Sequence, residues 1–347
     1  MKLFINARFL TQSISGVQRY AIECSRQIKE LYPESVFITP KNIVNVEVAK
    51  ELGAVVVGSN TGHLWEQIDL PLYLFKKKSP KLLSLANTAP LMYSNNFIAI
   101  HDLAFYHHPE WNSKGFSTWY NILIPRLAIH ARHLFTVSQT ICNELVTYYK
   151  IPRNKISVTY NGISDDLKAD SDNFELIKEK IILSVGTFNK RKNQQNLVKA
   201  FLKSDIQKEY TLVLVGDKNK IFSDSGIGDD ELGDNIKIYQ RLTDEELKTL
   251  YERAEVVVSL SGYEGFGIPM LEGLFFGSKI LCSDIPVYRE LFEQYAVFCN
   301  PLQIDNVAQQ LSNVVTERRR FDKESINLLL EKYNYRKAAE VILSKMK

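Results

Sequence analysis

The chain has 347 residues, of which 45% are hydrophobic and 24% charged, with 16 Gly and 11 Pro. This composition excludes a disordered protein. The chain is longer than one that folds around a single ordinary hydrophobic core, which favours two domains. Residues 1–165 carry 17 Lys and Arg against 11 Asp and Glu, a balance of +6, whereas the remainder carries 26 against 29, a balance of −3. The first part also holds all six His and all three Trp, so we expect an anionic or membrane-held partner there.

The amino terminus and the cysteines bear on the compartment. Residues 1–10 lack the long apolar run of a signal peptide, and no apolar stretch approaches the roughly 20 residues that span a bilayer. The cysteines are scattered without a Cys-x-x-Cys pair, and each lies beside apolar residues, which predicts reduced core thiols in a cytoplasmic protein. They are Cys24, Cys142, Cys282 and Cys299.

Short apolar strands alternate with helices along the first half. The predicted strands are 2–6, 36–39, 54–57, 97–101 and 133–137, and the predicted helices are 17–31 and 139–149. The segment 70–78, followed by Lys81, joins an apolar aromatic face to a basic end. Such a segment is typical either of a helix lying on an anionic bilayer or of a core helix with a lysine-rich terminus.

The second half repeats strand and helix more regularly. The predicted strands are 181–185, 211–215, 236–239, 255–260, 279–283 and 296–299, and the predicted helices are 193–202, 244–253, 268–276 and 287–292. Near-continuous apolar strands favour a parallel sheet covered on both faces. The chain is therefore predicted to be an α/β protein with two doubly wound, Rossmann-like domains, 1–165 and 166–330, and a C-terminal helix in 331–347 that packs back on the first domain. The polar stretch near 160–172 marks the join.

The loop after the strand 255–260 carries the most specific pattern. Residues 261–272 read SGYEGFGIPMLE, with Glu264 and Glu272 separated by seven residues. Gly265 and Gly267 allow close approach of the backbone to a ligand, and Pro269 suits the first turn of a helix whose N-terminus favours a diphosphate. Alternatively, this is a plain strand-to-helix turn whose carboxylates cap the helix or face solvent.

A second loop at a strand end is basic. Residues 185–193 read VGTFNKRKN, so Lys190, Arg191 and Lys192 are adjacent where the chain must turn. Such a cluster is costly unless it is solvated or opposed by an anion, and a nucleotide diphosphate is the natural opposing charge. A solvated basic turn is the alternative.

These two loops resemble those of the retaining GT-B glycosyltransferases of family four, the mannosyltransferase-like glycosyl transferases group 1, in which two Glu seven residues apart and an Arg/Lys pair line the donor site. The order of further matching segments extends the resemblance through the chain. They are Ser-Gly-Val at 15–17, His-Asp at 101–102, Val-Ser at 137–138, Asn-Gly-Ile at 161–163 and RLTDEEL at 241–247. The resemblance implies the GT-B fold, two Rossmann-like domains facing across a cleft.

The resemblance also implies roles for single residues. Glu264 would hold the sugar hydroxyls, Glu272 would bind the ribose, and Arg191 with Lys192 would neutralise the departing diphosphate. His101, at the end of a strand, would contact the donor sugar, although a structural histidine is the alternative. The rest of the implied nucleotide-sugar site is formed by Gly16 of the first domain, Gly186, Tyr239, Leu242, Gly265, Phe266, Gly267 and Ile268.

Two departures from the family pattern concern this site. Thr187 stands where many relatives carry Arg, so that contact must come from Arg191 or be absent. Ser15 precedes Gly16 where relatives often have two Gly, which puts the width of the acceptor side in question.

No metal is expected. His107 and His108 lack a third ligand at a convincing spacing and are interpreted as a loop. Asp170 and Asp172 match a two-aspartate pattern of metal-using glycosyltransferases, but they lie in the predicted linker and are interpreted as solvated.

The predicted function is transfer of a hexose or deoxyhexose, with retention and without a metal, from a nucleotide diphosphate sugar to a polysaccharide or lipid-linked oligosaccharide, as in bacterial O-antigen or capsule synthesis. GDP-mannose is the first candidate donor, with UDP- or dTDP-sugars as alternatives. No cofactor is expected besides this donor substrate, no nucleic acid partner is expected, and the enzyme would be cytoplasmic, with peripheral contact to an anionic membrane as a further expectation.

Two other functions remain open, a nucleotide-sugar epimerase of similar fold and a noncatalytic nucleotide-sugar-binding protein. The first predicted strand lacks a following Gly-x-Gly-x-x-Gly, which speaks against a nicotinamide-dependent oxidoreductase.

Overall fold

The protein divides into two compact units. The computed structural model describes residues 2–168, 177–216, 233–240, 242–317 and 323–346. Unit 1 comprises Met1–Ser164 with Lys332–Lys347, and unit 2 comprises Asp165–Glu331. The chain therefore leaves unit 1 once and returns to it at its C-terminal end.

Each unit is built on one sheet, and every strand pairing described is parallel. The strands are β1 (Leu3–Asn6), β2 (Val36–Thr39), β3 (Val55–Val56), β4 (Lys81–Ser84), β5 (Asn96–Ile100), β6 (His133–Thr136), β7 (Ile156–Val158), β8 (Glu179–Val185), β9 (Thr211–Val215), β10 (Ile236–Tyr239), β11 (Ala254–Ser259), β12 (Lys279–Ser283) and β13 (Ala296–Cys299). Their order is β3-β2-β1-β4-β5-β6-β7 in unit 1 and β10-β9-β8-β11-β12-β13 in unit 2.

Helices connect the parallel strands. They are α1 (Gly16–Leu31), α2 (Val46–Leu52), α3 (Gly62–Leu64), α4 (Leu70–Lys76), α5 (Ala104–His107), α6 (Lys114–His130), α7 (Gln139–Tyr149), α8 (Asp165–Lys168), α9 (Gln194–Lys203), α10 (Asp244–Arg253), α11 (Ile268–Phe275), α12 (Pro286–Phe292), α13 (Ile304–Thr316), α14 (Lys323–Lys332) and α15 (Tyr335–Lys345). Among the described residues, no helix is long and apolar enough to cross a membrane.

The C-terminal helix α15 packs against α1 within unit 1. The chain passes so close to Gly162 that a Cβ there would lie 2.9 Å from the backbone nitrogen of Tyr335. At the surface, Arg336 donates to the carboxylate of Glu30 at 2.6 Å. These contacts explain why the C-terminal segment belongs to unit 1.

Apolar side chains of helices and strands interdigitate in both units. In unit 2, Leu197 and Phe201 of α9 and Leu311 of α13 lie in one buried cluster with strand residues such as Val256. Complete burial of such a side chain contributes about 1.5–3 kcal/mol relative to exposure. The cores thus hold the strand ends in fixed places, where loops can position polar groups.

The strand order contains one reversal in each sheet, between β1 and β4 and between β8 and β11. Loops that leave the carboxyl ends of two such strands turn to opposite faces and open a crevice, which is where ligands bind in open parallel sheets. Each unit therefore has one preferred place for a site.

Several predicted elements have the bounds that the structure shows, among them the helices at 139–149 and 244–253. The strands at 36–39, 211–215, 236–239, 279–283 and 296–299 have the predicted bounds. The four cysteines are buried, as predicted, and no disulfide joins them. Burial raises the pKa of the Cys299 thiol to about 12, so this thiol stays protonated.

Lys81 requires a correction. We predicted that it extends the basic end of the segment 70–78, but it begins the sheet strand β4, and its ammonium donates to the Met346 carbonyl at 2.6 Å. The segment 70–78 has features of both predicted alternatives, a core helix and a helix with an exposed apolar face. Leu70 and Leu74 are buried in the core of unit 1, whereas Leu72 and Phe75 on the same helix are exposed.

Candidate functional site

Two loops meet at the reversal point of the unit 2 sheet. The basic loop, residues 186–193, follows β8, and the acidic loop, residues 260–267, follows β11. Their backbones are joined because the N–H of Gly262 donates to the carbonyl of Arg191 at 2.9 Å. The two segments that the sequence singled out are therefore brought together.

The basic loop is shaped by its own polar residues. The Asn189 side chain accepts the N–H of Lys192 at 3.0 Å and caps the 3-10 turn Lys190–Lys192. Gly186 has φ 151°, and a Cβ at this position would lie 3.3 Å from Cε of Lys192. The stem of Lys192 therefore runs across the bare backbone of Gly186.

Lys192 and Arg191 both contact the carboxylate of Glu264. Nζ of Lys192 lies 2.5 Å from Oε1, and Nη1 of Arg191 lies 3.5 Å from Oε2. Glu264 is only 9% exposed. Burial opposes its ionisation, but the charges of Arg191 and Lys192, with hydrogen bonds from Lys192 and Ser261, lower the pKa of this carboxyl to about 2. Two partly exposed cations thus contact one buried carboxylate at the carboxyl ends of β8 and β11.

Tyr288 lies beside Glu264 and the acidic loop. Its hydroxyl hydrogen-bonds the Ser259 hydroxyl at 2.8 Å, and Ser259 in turn contacts Ser261 at 3.1 Å. Burial and the nearby Glu264 charge raise the pKa of Tyr288 well above its usual value, so its hydroxyl remains neutral. A Cβ on Gly267, whose φ is 123°, would lie 2.6 Å from the Tyr288 ring, so the acidic loop must pass this ring as bare backbone.

Glu272 lies in the middle of α11 and is nearly buried. Its Oε2 accepts a hydrogen bond from the Tyr251 hydroxyl at 2.6 Å, and Tyr251 is a completely buried residue of α10. Sequence reasoning missed both Tyr251 and Tyr288, because each aromatic residue lay on a predicted amphipathic helix and matched an ordinary core position.

The other predicted residues of unit 2 lie at loop and element ends. Tyr239 ends β10 with 38% exposure, and its carbonyl accepts from Gly216 at 3.0 Å. Leu242 is half-buried in the next loop. Gly265 and Phe266 are buried. Arg241 lies outside the described residues.

Three further residues complete the placement of the predicted site. Ile268 opens α11, beside the acidic loop. Thr187, which stands where many relatives carry Arg, is exposed. Its hydroxyl accepts a hydrogen bond from the Asn189 side chain at 3.0 Å. Gly16, in unit 1, is the exposed first residue of α1.

His101 lies directly after β5 in unit 1 and is 5% exposed. Its Nε2 is 2.7 Å from the Leu85 carbonyl, and its ring packs edge-on against Tyr20, with 4.8 Å between centroids. Burial lowers the pKa of His101, so the imidazole is neutral and Nε2–H donates to the carbonyl. Its role toward the donor sugar stays a prediction.

The residues weighed as metal ligands have other partners or are not described. Nε2 of His107 lies 3.2 Å from Glu144, and His108 stacks on Trp111 at 3.8 Å. Asp170 and Asp172 fall outside the described residues. Within the described ranges, no group of three or more His, Cys, Asp or Glu is placed to hold a metal ion.

Two family models match consecutive parts of the chain. The model described as "Glycosyltransferase Family 4" matches residues 14–167, and the model described as "Glycosyl transferases group 1" matches residues 168–328. The junction between the two matches lies close to the first boundary between unit 1 and unit 2.

Individual proteins agree with these models. The O-antigen chain mannosyltransferase RfbU of Salmonella typhimurium is 28% identical over 319 residues, which cover 86% of this chain and 87% of the relative. A glycosyltransferase structure from Rickettsia africae matches with a TM-score of 0.74 at 16% identity, covering 100% of this chain and 97% of that one. Anabaena HepE in complex with UDP and glucose matches with a TM-score of 0.73 at 15% identity, covering 99% and 98%. These structural likenesses show the GT-B fold.

Proposed function

We propose that this chain, which belongs to the family-four glycosyltransferases of GT-B fold, transfers a hexose or deoxyhexose from a nucleotide diphosphate sugar to a glycan acceptor, with retention at the anomeric carbon. GDP-mannose is the first candidate donor, because the chain is similar to an O-antigen mannosyltransferase over most of its length. A polysaccharide or a lipid-linked oligosaccharide is the proposed acceptor.

The single observation that carries the proposal is the arrangement of Arg191 and Lys192 about Glu264 at the reversal point of a parallel sheet. Two cations fixed side by side at the carboxyl end of a parallel strand suit the binding of an anionic group. A diphosphate supplies that anion, and its charge increases on the leaving oxygen as the bond to the sugar breaks. Cations fixed before the reaction stabilise this developing charge most effectively.

The state of Glu264 favours same-face attack. With a pKa of about 2 and both oxygens engaged by cations, its carboxylate is a weak base and a weak nucleophile. In the proposed step the bond from the anomeric carbon to the phosphate oxygen breaks and the bond to the acceptor oxygen forms on the same face. The departing phosphate accepts the acceptor's proton. Glu264 then serves to hold sugar hydroxyls and to orient the two cations.

The nucleotide end of the donor is assigned to α11 and β10. Glu272 would accept the ribose hydroxyls, with Tyr251 fixing one carboxyl oxygen. The first N–H groups of a helix lack intrahelical partners, so the start of α11 at Ile268, with Gly265 and Gly267 before it, suits the diphosphate. The base would lie against the chain at Tyr239 and Leu242, mostly on backbone groups.

Phosphate neutralisation by Arg191 and Lys192 needs no metal in this account. Transfer should therefore proceed in the presence of a strong chelator. Activity that is abolished by the chelator and restored by magnesium or manganese would contradict the metal-independent assignment and would direct attention to Asp170 and Asp172.

A lipid-linked acceptor would bring unit 1 to a membrane surface. Helix α4 presents exposed Leu72 and Phe75, and the lysines at 76–78 that follow are exposed as well. Lys81 is excluded from this surface because it is engaged in β4. Each basic residue near an anionic bilayer contributes about 1 kcal/mol, so three suffice for weak, salt-sensitive association.

The test is a panel of nucleotide diphosphate sugars, scored first by thermal stabilisation and then by transfer to mannoside acceptors. A ligand at about 100 times its Kd stabilises by about 2.7 kcal/mol, which a thermal scan resolves readily. The proposal expects one donor to stabilise the protein and to yield a glycoside. Donor conversion without any acceptor would support the epimerase alternative, and nucleotide binding without any turnover would support the noncatalytic one; the relatives favour neither.

A further inference from the structure

Unit 1 has its own polar centre at the reversal point between β1 and β4. The carboxylate oxygen Oε1 of Glu66 accepts from Nδ2 of Asn6 at 2.8 Å, from Nε of Arg8 at 3.1 Å and from the Thr88 hydroxyl at 3.1 Å. Nη2 of Arg8 also donates to the Thr88 hydroxyl at 2.6 Å. Asn6 ends β1, Arg8 follows it, and Thr88 lies in the loop after β4, so this centre occupies the position where open parallel sheets bind ligands.

This centre is not explained by stability. Glu66 and Arg8 are 1% and 7% exposed, and burying an ion pair often costs as much as its attraction returns. Burial opposes ionisation of Glu66, but the charge of Arg8, the nearby His63 and the hydrogen bonds from Asn6 and Thr88 hold its pKa below the usual range. Glu66 also lies in a π-helical turn, Trp65–Asp69, a rare irregularity that is frequent at functional sites.

One residue, His63, lies between the second carboxylate oxygen of Glu66 and the surface. Nδ1 of His63 lies 3.4 Å from Oε2 without hydrogen-bond geometry, and the His63 side chain is 39% exposed. Its ring lies edge-on to Trp119 and Tyr120 of α6, with 6.5 Å and 6.2 Å between centroids. Phe116 stacks on Tyr120 at 4.0 Å. The Glu66 carboxylate thus lies close behind a partly exposed imidazole that is bordered by aromatic rings.

We propose that His63, Trp119 and Tyr120 form a binding subsite for one pyranose ring of the glycan acceptor. The inference rests on the proposed glycosyl transfer and assigns the acceptor a place in unit 1. A pyranose has an apolar C–H face, which fits the partly exposed Trp119 ring, and a rim of hydroxyls, one of which fits the imidazole of His63. Glu66 is a positioning residue, because it acts on the ligand only through His63.

The charges of the centre favour a neutral occupant. Arg8 is already opposed by Glu66, so the buried pair offers no excess positive charge to a phosphate. This differs from unit 2, where two cations share Glu264. A sugar ring is neutral and amphipathic, whereas a lipid chain would leave the imidazole without a polar partner.

The test measures glycoside binding without any donor. Saturation-transfer NMR with methyl α-mannoside, α-glucoside, α-galactoside and α-N-acetylglucosaminide is applied to the parent and to His63→Gln and Trp119→Ala. The matched controls are His130→Gln, at the exposed end of α6, and Trp111→Ala, whose ring stacks on His108. We expect at least one glycoside to receive saturation from the parent and from both controls but not from the two site variants.

Kinetics provide the second readout. Loss of a hydrogen bond or of a ring contact, about 1 kcal/mol each, should raise the acceptor KM about fivefold to tenfold in each site variant, while the Kd of the nucleotide diphosphate stays unchanged. Absence of glycoside binding to the parent, or equal binding to parent and site variants, would overturn the subsite. Failure of nucleotide binding at unit 2 would instead refute the proposed function, since the glycoside experiment needs no donor.

Discussion

Replacing Tyr251 by Phe removes one hydroxyl, and no other group, from the proposed nucleotide site. That hydroxyl donates to Oε2 of Glu272 at 2.6 Å, and the two residues are 0% and 6% exposed. A buried hydrogen bond to a carboxylate contributes about 1.5–3 kcal/mol, and its loss leaves a polar oxygen in an apolar setting. For a domain the size of unit 2, a loss of about 2 kcal/mol in the free energy of unfolding lowers Tm by roughly 4–8 °C.

The same substitution should weaken nucleotide binding. If Glu272 accepts the ribose hydroxyls, its carboxyl must be held in one orientation, and Tyr251→Phe removes a hydrogen bond that holds it. We expect the Kd of the nucleoside diphosphate, measured by calorimetry, to rise about fivefold to tenfold, equivalent to about 1–1.4 kcal/mol. Because the ribose contact is made before and after the sugar leaves, kcat should change less than binding.

Unit 2 offers a matched control for this prediction. Tyr210 donates to Oε2 of Glu255 at 2.9 Å, which is also a tyrosine-to-glutamate bond, but it lies away from the strand ends that form the site. Tyr210→Phe should lower Tm without changing the Kd of the nucleotide. Equal nucleotide affinity in the parent and in Tyr251→Phe would refute the reasoning, and so would an equal loss of affinity in both variants.

Three further predictions concern charge. Lys192→Ala should lower kcat by about two orders of magnitude with a smaller change in the nucleotide Kd, because leaving-group charge develops in the transition state; equal losses would indicate plain anion binding. The depressed pKa of Glu264 contributes about 3 kcal/mol of stability above pH 4.5, and this contribution is lost as the pH falls toward 2. The free energy of unfolding should therefore depend less on pH between 4.5 and 2 in Glu264→Gln than in the parent. Parallel curves for the two proteins would contradict the ion pairs. Replacing the lysines at 76–78 by Glu should reduce cosedimentation with anionic vesicles at low salt; a parent protein that does not cosediment would refute the membrane contact.

The strands of unit 2 were predictable because their pattern is local. Thr211–Val215 and Lys279–Ser283 contain four and three consecutive apolar residues next to polar turns, which is a clear strand signal. The strand β4 was missed because it lies directly after a basic helix end and offers only two consecutive leucines as a signal. Helix α6 was missed because exposed and buried apolar residues alternate without a clear stripe, and Pro125 interrupts it.

The candidate site was predictable in its residue types but not in its contacts. Glu264 and Lys192 were both singled out, yet their pairing joins residues 72 positions apart and depends on the adjacency of β8 and β11. The Tyr251 hydroxyl and the Glu66 centre depend likewise on which helices and strands lie side by side. A single sequence contains no direct record of such long-range packing, so these groups could be recognised only in the folded chain.

Hexosyl transfer with retention from a nucleotide diphosphate sugar is the reaction proposed for this chain. The most direct measurement is proton NMR of a reaction that contains GDP-α-mannose and a mannoside acceptor, followed in time through the anomeric signals. We expect release of GDP together with a new α-linked mannoside as the first product, and loss of both in Lys192→Ala. A β-linked first product, or a new glycoside formed at the parent rate by Lys192→Ala, would contradict it.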